Sequence, residues 1–314
     1  MKKILISIFL YSLNCMNANA EDISNHKYTD VNYAFSGGIG YSWIKANEIV
    51  YDKGNRISHL IWKSQMPVLN GKLTADINED VTFSGNMKVG LLGSGNMHDY
   101  DWLSATDGFR GYDFSNWTDH SQSKTELDRY ISLDIALGHD FVITPQNTLN
   151  VHGGFKYTNV KWTAYGGDYV YSSQSFRDSK GTFADEKGIS YEQRLPVIFL
   201  GSEWNTKLER WSFSALGRAG LTVSGKDIDD HWLRDLRFMD TFDTKPFFEL
   251  QANMSYSFNE KTSLFFAAGF EKHLKMRGDT QIINHSNGTH NFVSKGAGAS
   301  FEAATVSAGL KVKF

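Results

Sequence analysis

The sequence predicts an all-β fold, a ten-stranded antiparallel transmembrane β-barrel that extends beyond the membrane. Three observations support this prediction: an export signal at the N-terminus, apolar and polar residues that alternate through most of the chain, and a last alternating strand that ends on Phe314. A mean hydropathy of −0.38 does not argue against it, because alternating strands average to low hydropathy.

The first 20 residues have the order of a secretory signal peptide. A positive Met1-Lys2-Lys3 precedes an apolar stretch from Ile4 to Leu13, and Ala18-Asn19-Ala20 supplies small residues for cleavage after Ala20. The apolar stretch is too short for a spanning helix of roughly 20 residues. We expect removal of residues 1–20, which takes away the only cysteine, Cys15, and two lysines, so that the formal charge of −3 becomes −5. This mild acidity gives no reason to expect a nucleic-acid partner.

Period-two alternation defines the remaining strands, and no long stretch has a helical period. From Ala304 to Phe314, apolar residues occupy every even position, and the aromatic ending resembles the terminal strand by which outer-membrane barrels are recognised for assembly. A soluble β-sandwich is the alternative, and the signal peptide and this strand argue against it. The predicted strands are 32–46, 56–78, 81–94, 124–143, 148–167, 188–204, 208–225, 246–258, 262–278 and 296–314.

Short and long connections alternate along the chain, so residues 21–314 form one barrel with two unlike rims. Bacterial barrels have short turns on the periplasmic side and long loops outside. Many strands exceed the roughly 9–11 residues needed to cross a bilayer, so the barrel should project on the loop side. The predicted tight turns are 78–80, 144–147, 205–208 and 259–261, and the predicted long loops are 47–55, 95–123, 168–187, 226–245 and 279–295.

Two acidic clusters, Asp99-Tyr100-Asp101 and Asp227-Ile228-Asp229-Asp230-His231, follow the strands that end near residues 94 and 225. Both are therefore expected on the loop-side rim, where residues distant in sequence can meet. Strand alternation alone would turn the four side chains of Asp99, Asp101, Asp229 and His231 outward. We predict a one-residue slip on each strand, at positions where Gly93, Gly95 and Gly225 would permit a bulge.

Six segments, in order along the chain, resemble the omptin family of outer-membrane endopeptidases. Their order on a ten-stranded barrel makes the resemblance far more specific than a single Asp-x-Asp. The segments are Glu48-Ile49-Val50-Tyr51, Arg56-Ile57-Ser58-His59-Leu60-Ile61-Trp62-Lys63, Asn96-Met97-His98-Asp99-Tyr100-Asp101-Trp102, Trp117-Thr118-Asp119-His120-Ser121, Gly166-Gly167-Asp168-Tyr169-Val170-Tyr171-Ser172-Ser173 with Phe176-Arg177-Asp178, and Asp227-Ile228-Asp229-Asp230-His231.

The resemblance implies proteolysis by a water molecule, without a covalent intermediate, at an extracellular site with two facing halves. Asp229 and His231 match the family's Asp–His dyad, and Asp99 and Asp101 match its aspartate pair. The chemistry agrees, because an imidazole can accept a proton from water while a carboxylate stabilises the resulting cation. Two close carboxylates cannot both ionise cheaply, so one aspartate of the pair should hold a proton.

Glu48 and Asp227 match the family's acidic specificity pocket, and Met97 would line it beside the aspartates. Carboxylates at a pocket floor suit the arginine fork or the lysine ammonium, and the thioether stem can pack against the aliphatic part of the substrate side chain. The resemblance therefore implies cleavage of peptides and proteins next to Arg or Lys, including sites between two basic residues.

The resemblance also implies lipopolysaccharide as a partner, needed for activity, in the outer membrane of a Gram-negative bacterium, with the site facing outside. The barrel is expected to be a monomer without a cofactor. Arg194 and Lys245 match two members of the family's lipopolysaccharide-binding cluster. Phe155, Tyr157 and Asn159 depart from it, because they stand where tyrosine, glutamate and arginine are expected.

Other interpretations of the same residues remain open at the level of sequence. The clusters could be solvated loop residues, or the barrel could be an adhesin that binds host or environmental proteins through its loops, or a pore. Imidazoles and carboxylates are also metal donors, but no spacing among them is a metal signature. Ser115 or Ser121 could act as a nucleophile with His231, although no elbow motif supports this. His98 and Asp230 have no assigned role.

Overall fold

The computed structural model describes residues 32–103 and 116–314; the predicted signal peptide and Ser115 lie outside these ranges. Among the described residues, no helix is long and apolar enough to cross a membrane. These two ranges contain one 3-10 helix, Trp232–Arg234, and thirteen strands. These are β1 Tyr33–Asp52, β2 Asn55–Asp76, β3 Val81–Gly90, β4 Gly93–Asp101, β5 Asp119–Thr144, β6 Asn147–Tyr171, β7 Ser179–Leu208, β8 Trp211–Thr222, β9 Lys226–His231, β10 Leu236–Phe242, β11 Lys245–Ser257, β12 Thr262–Asn284 and β13 Thr289–Lys313.

The strands form one antiparallel sheet that closes on itself, because β1 pairs with both β2 and β13. A barrel-spanning strand, whether or not it is interrupted, is called a stave here. Three staves are each interrupted once, so that β3 continues into β4, β8 into β9 and β10 into β11. Counting each interrupted stave once gives ten staves. The structure confirms the predicted ten-stranded antiparallel barrel.

The middle of the barrel has the two faces that the alternation predicts. On β5, Leu133, Ile135 and Leu137 are exposed on the outer wall, whereas Ser132 and Asp134 between them are buried in the interior. Toward the rim that carries the acidic clusters, the outer wall becomes polar. The outward side chains there include Lys45, Lys63, Gln65 and Arg194. An apolar band therefore encircles the barrel and ends before that rim, as expected for a barrel that crosses a bilayer and projects from it.

Ion pairs fill the interior at the level of this band. Lys156 lies between Glu249, with an Nζ–Oε1 distance of 3.1 Å, and Glu271. Arg218 bridges Asp134 and Glu249, at 3.2 and 3.1 Å. These side chains come from staves on different sides of the barrel, and they bind one another across its interior.

A layer of aromatic side chains lies above the ion pairs, between them and the acidic rim. Trp62, Trp162 and Tyr191 stack with centroid separations of 5.5–6.3 Å, and all three are fully buried. Stacking of this kind fixes the side chains in position. The layer forms a rigid apolar floor beneath the rim.

The predicted long loops are wrong in extent. β1 continues to Asp52, β7 begins at Ser179 and β12 continues to Asn284, so four connections at this rim shrink to 53–54, 172–178, 232–235 and 285–288. The predicted loop 95–123 falls partly on residues 104–115, which lie outside the described ranges. Beyond the apolar band both faces of a strand meet water or polar groups, so the hydropathy alternation fades while the hydrogen-bonded ladder continues. The acidic clusters consequently lie within strands β4 and β9 rather than in loops. Three tight turns of the opposite rim lie close to their predicted positions, but the turn predicted at 205–208 is at 209–210, because β7 continues to Leu208.

Both predicted one-residue slips are present. Along β2 the pairing changes from Val68↔Gly90 to Gln65↔Ser94, and along β7 it changes from Val197↔Thr222 to Arg194↔Lys226. In each case two residues of one strand lie opposite three of its neighbour, which reverses the parity of every side chain beyond the slip.

Gly93 and Gly225 lie within the two slips as predicted, but neither has a positive φ. In the second slip it is Ser224, and not Gly225, that adopts a positive φ, of 51°. Gly95 allows β4 to approach β2 closely, because a Cβ at this position would overlap the carbonyl oxygen of Lys63. Its role is therefore steric and does not depend on backbone freedom. A polar residue such as serine tolerates the left-handed region when its neighbours fix the turn.

Candidate active site

The structure brings the two acidic clusters together across the mouth of the barrel. Asp99 and Asp101 point inward from β4, and Asp229 and His231 point inward from β9, which is separated from β4 by the three strands β5, β6 and β7. The charges of Asp229 and Arg234 are close enough to Asp99 to affect its pKa. The four residues predicted from sequence therefore share one buried cleft.

Asp229 and His231 form a hydrogen-bonded dyad. His231 Nε2 lies 2.6 Å from Asp229 Oδ2, and both side chains are largely buried. The guanidinium of Arg234 donates to the other ring nitrogen, Nδ1. This network assigns the proton of a neutral ring to Nε2, so that Nδ1 carries the basic lone pair. Arg234, exposed at the end of the 3-10 helix, covers that lone pair.

Asp99 and Asp101 form a proton-holding carboxyl pair on the facing wall. Burial raises the pKa of Asp99 to about 6, even though the hydroxyl of Ser58 donates to its Oδ1 at 3.2 Å. Burial, together with the charge of Asp99, raises the pKa of Asp101 well above its usual range. At neutral pH the pair accordingly retains one proton, shared between two interacting groups.

Tyr171 is a further neutral donor beside the pair. Burial and the charges of Asp99 and Asp101 raise the pKa of Tyr171 to about 12, and its hydroxyl is hydrogen-bonded to Ser121. Ser121 itself lies on β5 directly opposite Asp99. Among the described residues no hydrogen bond joins Ser121 to His231, so the structure offers no support for a serine nucleophile at this position.

Glu48 and Asp227 lie beneath the dyad, against the aromatic floor. Trp62 Nε1 donates to Glu48 Oε2 at 3.2 Å, and the Tyr191 hydroxyl donates to Asp227 Oδ2 at 2.8 Å. Burial raises the pKa of both carboxyls well above their usual range, with the neighbouring acids adding to it. Met97 is buried directly opposite Trp62 in the strand register, where it lines the same space.

Sequence reasoning missed a third acid in this pocket, Asp240. It extends inward from β10, directly opposite Asp227 in the register. Burial raises the pKa of Asp240 to about 6, although a hydrogen bond from Thr280 lowers it. The segment 226–245 was predicted as a loop, so no strand parity could be applied to it. The alternation of inward Asp240 and Phe242 is the signal that could have found it.

His98 and Asp230, which had no predicted role, both belong to the opposite strand face. Arg237 forms a bidentate ion pair with Asp230, at 2.7 and 3.1 Å. His98 Nδ1 lies 3.2 Å from His120 Nε2, and both rings stack with Tyr100. Within residues 32–103 and 116–314, no group of three or more His, Cys, Asp or Glu side chains is arranged to hold a metal ion.

Arg194 and Lys245, predicted to bind lipopolysaccharide, lie apart. Arg194 Nε donates to Glu192 Oε1 at 2.8 Å, and Arg129, which sequence reasoning missed, binds the same oxygen at 3.1 Å. Asn159 donates to it as well, at 2.8 Å. Lys245 takes part in no ion pair of the described chain and stands across the β8 stave. The outer wall therefore has a compact cluster around Glu192 that does not include Lys245.

The buried acids give the fold a pH dependence that can be measured. Asp240 has a folded-state pKa of about 6, above its ordinary value of about 3.9, so its contribution favours folding at low pH and is lost as pH rises through 6. We expect wild-type barrel to melt at a lower temperature at pH 8 than at pH 5, and Asp240→Asn to show a smaller difference. Thermal unfolding in detergent, with exposed Asp243→Asn as the control, checks this; equal differences in wild type and Asp240→Asn would contradict it.

Comparison with known proteins identifies the family of this barrel. Residues 29–314 match the Omptin family. The chain is 28% identical over 280 residues to the plasminogen activator of Yersinia pestis and 26% identical over 280 residues to the outer membrane protease OmpP of Escherichia coli K12, with 86% of each chain covered in both cases. The crystal structure of outer membrane protease OmpT from Escherichia coli shares the fold, with a TM-score of 0.81 at 23% identity over 94% of this chain and 99% of that one. Because the family match runs through the whole described barrel and the folds agree, the chain belongs to the omptin family.

Proposed function

We propose that this omptin is an outer-membrane endopeptidase that hydrolyses peptide bonds next to arginine or lysine, with its site facing outside the cell. Membership of the family and the protease relatives support peptidase activity in the outer membrane of a Gram-negative bacterium. The observation that carries the finer proposal is the 2.6 Å Asp229–His231 hydrogen bond, which faces a proton-holding carboxyl pair across a buried acidic cleft.

In the proposed reaction, a water molecule loses its proton to His231 Nδ1 as its oxygen attacks the carbonyl carbon of the peptide bond. Asp229 accepts from Nε2–H and stabilises the imidazolium that forms. The proton held by Asp101 donates a hydrogen bond to the developing oxyanion. The imidazolium then protonates the leaving amine as the C–N bond breaks. The reaction requires no metal or other cofactor.

Arg234 must move before this reaction can begin, since its guanidinium occupies the Nδ1 lone pair. Its side chain is exposed and has room to rotate toward solvent. An incoming peptide would compete for the acids near it, including Asp99 and Asp101, whose charges it now partly balances. Substrate binding would thereby free the base that activates water.

The acids beneath the dyad supply the specificity. Glu48, Asp227 and Asp240 are buried together, and none of them forms an ion pair with a Lys or Arg of the described chain. Buried carboxyls without a cation are costly, and a basic substrate side chain would supply that cation. Met97 and Trp62 would pack along its methylene groups.

Lipopolysaccharide is the proposed partner on the outer wall. Arg129 and Arg194 present guanidinium groups near the edge of the apolar band, and guanidinium is well suited to phosphate. Lys245 would bind a separate phosphate, because it stands away from that cluster. We propose that this contact is needed for activity and that the barrel acts as a monomer.

The test is cleavage of two matched peptides by refolded barrel supplied with lipopolysaccharide. One peptide contains Arg-Arg and the other contains Gln-Gln at the same positions. We expect hydrolysis of the first peptide next to an arginine and little or none of the second. Equal cleavage of both peptides, or no cleavage of either, would overturn the proposal.

A second measurement tests the carboxyl pair through pH. The Ser58 hydroxyl donates to Asp99 and holds its pKa below the value that burial alone would produce. Ser58→Ala should raise that pKa, so the acid limb of the rate profile should move to higher pH by roughly 0.5 to 1 unit. Exposed Ser286→Ala is the control. An acid limb that coincides in Ser58→Ala and wild type would argue against a role for Asp99 in this titration.

A further inference from the structure

Asp240 is the one acid of the pocket that no segment of the family resemblance contains. Its side chain is 8% exposed and Asp227 is 2% exposed, and the two residues are direct cross-strand partners on β9 and β10. Side chains in this relation have Cβ atoms roughly 4.5–5.5 Å apart, and like charges there destabilise a sheet. The pair therefore costs the fold stability, as expected for a site built to bind an opposite charge.

The two carboxyls of this pair are hydrogen-bonded to each other, so they share a proton, and neither Asp227 Oδ1 nor Asp240 Oδ1 has a donor from any other described residue. Each carboxyl has one further hydrogen bond, because Tyr191 donates to Asp227 Oδ2 and Thr280 is hydrogen-bonded to Asp240. Buried polar atoms are nearly always satisfied in native proteins. Two neighbouring buried carboxyls whose Oδ1 atoms no other described residue satisfies point to a cationic donor from outside, which would displace the proton that they share.

No cation of the described chain supplies that donor. Three arginines of this rim are taken up elsewhere: Arg237 by Asp230, Arg277 by the ring of Tyr51 and the carbonyl of Lys295, and Arg234 by His231. The pocket thus has an excess of carboxyl groups, and the two neighbouring Oδ1 atoms have no donor from the rest of the described chain.

We propose that Asp240 is a specificity-determining residue, which with Asp227 and Glu48 forms a three-carboxyl pocket that selects arginine over lysine in the substrate. This inference rests on the proposed endopeptidase function. A guanidinium has five N–H donors in a planar fork and can satisfy two adjacent acceptors at once. An ammonium is a compact point charge with three donors, and it cannot span the two carboxyls in one plane.

The enzymatic test uses Asp240→Asn and two peptides that differ only in Arg or Lys before the cut bond. Wild type should prefer the arginine peptide in kcat/KM. Loss of one charge-assisted acceptor should lower kcat/KM for arginine by about ten-fold or more while affecting lysine less, so that the preference collapses. Asp243→Asn, an exposed acid three residues away, should keep the wild-type preference. An unchanged Arg/Lys ratio in Asp240→Asn would overturn the inference.

A binding measurement separates this inference from the proposed reaction. Propylguanidinium and pentylammonium carry the two head groups on short apolar chains, and each can be added to wild-type barrel during thermal unfolding. Propylguanidinium should stabilise wild type more than pentylammonium, and Asp240→Glu should retain part of that difference if Asp240→Asn does not fold. Equal stabilisation by the two compounds would overturn the inference even if peptides are cleaved. Guanidinium selectivity without any peptide cleavage would uphold the pocket and overturn the proposed reaction.

Discussion

Replacement of His231 by alanine should reduce peptide cleavage by about 100-fold to 10,000-fold while leaving the barrel folded. A positioned general base contributes about this much to a hydrolytic rate. Among the described residues, His231 is the imidazole that is hydrogen-bonded to Asp229, and its basic nitrogen Nδ1 becomes available to water once Arg234 moves away. The loss should appear in kcat rather than KM, since the imidazole acts on water and not on the substrate side chain.

The matched control is His290→Ala, an exposed histidine on β13 at the same rim. It should cleave the Arg-Arg peptide at the wild-type rate. Folding of both variants can be followed by circular dichroism and by the temperature of unfolding. If folded His231→Ala cleaves the peptide as fast as His290→Ala, water activation by the dyad is wrong.

Asp101→Asn is expected to lower kcat by at least about 100-fold. Asp101 holds a proton at neutral pH, because burial and the charge of Asp99 raise its pKa. The asparagine amide keeps the size, but its weaker N–H donor would replace the carboxylic O–H that stabilises the developing oxyanion. Structure should consequently survive while oxyanion stabilisation is lost, and KM for a basic peptide should change little.

Glu186→Gln on β7 provides the comparison, since Glu186 is an exposed acid whose neutralisation changes the rim charge equally. Steady-state kinetics with the Arg-Arg peptide separate the two variants. A kcat for Asp101→Asn within a few-fold of that for Glu186→Gln would show that the carboxyl pair acts only through its charge.

Sequence patterns predicted the barrel because lipid imposes them. Leu133, Ile135 and Leu137 face lipid while Ser132 and Asp134 face the interior, and this contrast marks a strand without any knowledge of its partners. The same alternation, continued to the rim, would turn Asp99, Asp101, Asp229 and His231 outward, away from a shared site. A conflict between the alternation and an inward catalytic side chain required a one-residue slip, and the slips are present on both staves.

Beyond the apolar band the strands no longer alternate between apolar and polar residues. Residues there, such as Asp240 and Arg234, could therefore not be placed from the sequence. The strand β10 has no lipid-facing apolar face, so its residues resembled a loop, and Asp240 was overlooked with them. Its meaning depends on the register that pairs it with Asp227. Arg234 was missed for a similar reason, because its contact with His231 arises from a three-residue 3-10 helix and the left-handed Asp235 that follows.

Cleavage-site profiling of a mixed peptide library by refolded wild-type barrel with lipopolysaccharide tests the central claim most directly. Mass spectrometry of the products identifies the residues on both sides of every cut bond. If a buried acidic pocket beneath a water-activating dyad governs the reaction, the cut bonds should have arginine or lysine beside them, and His231→Ala should produce none of these products. Cuts spread over neutral and acidic residues, or the same products from folded His231→Ala, would contradict the account.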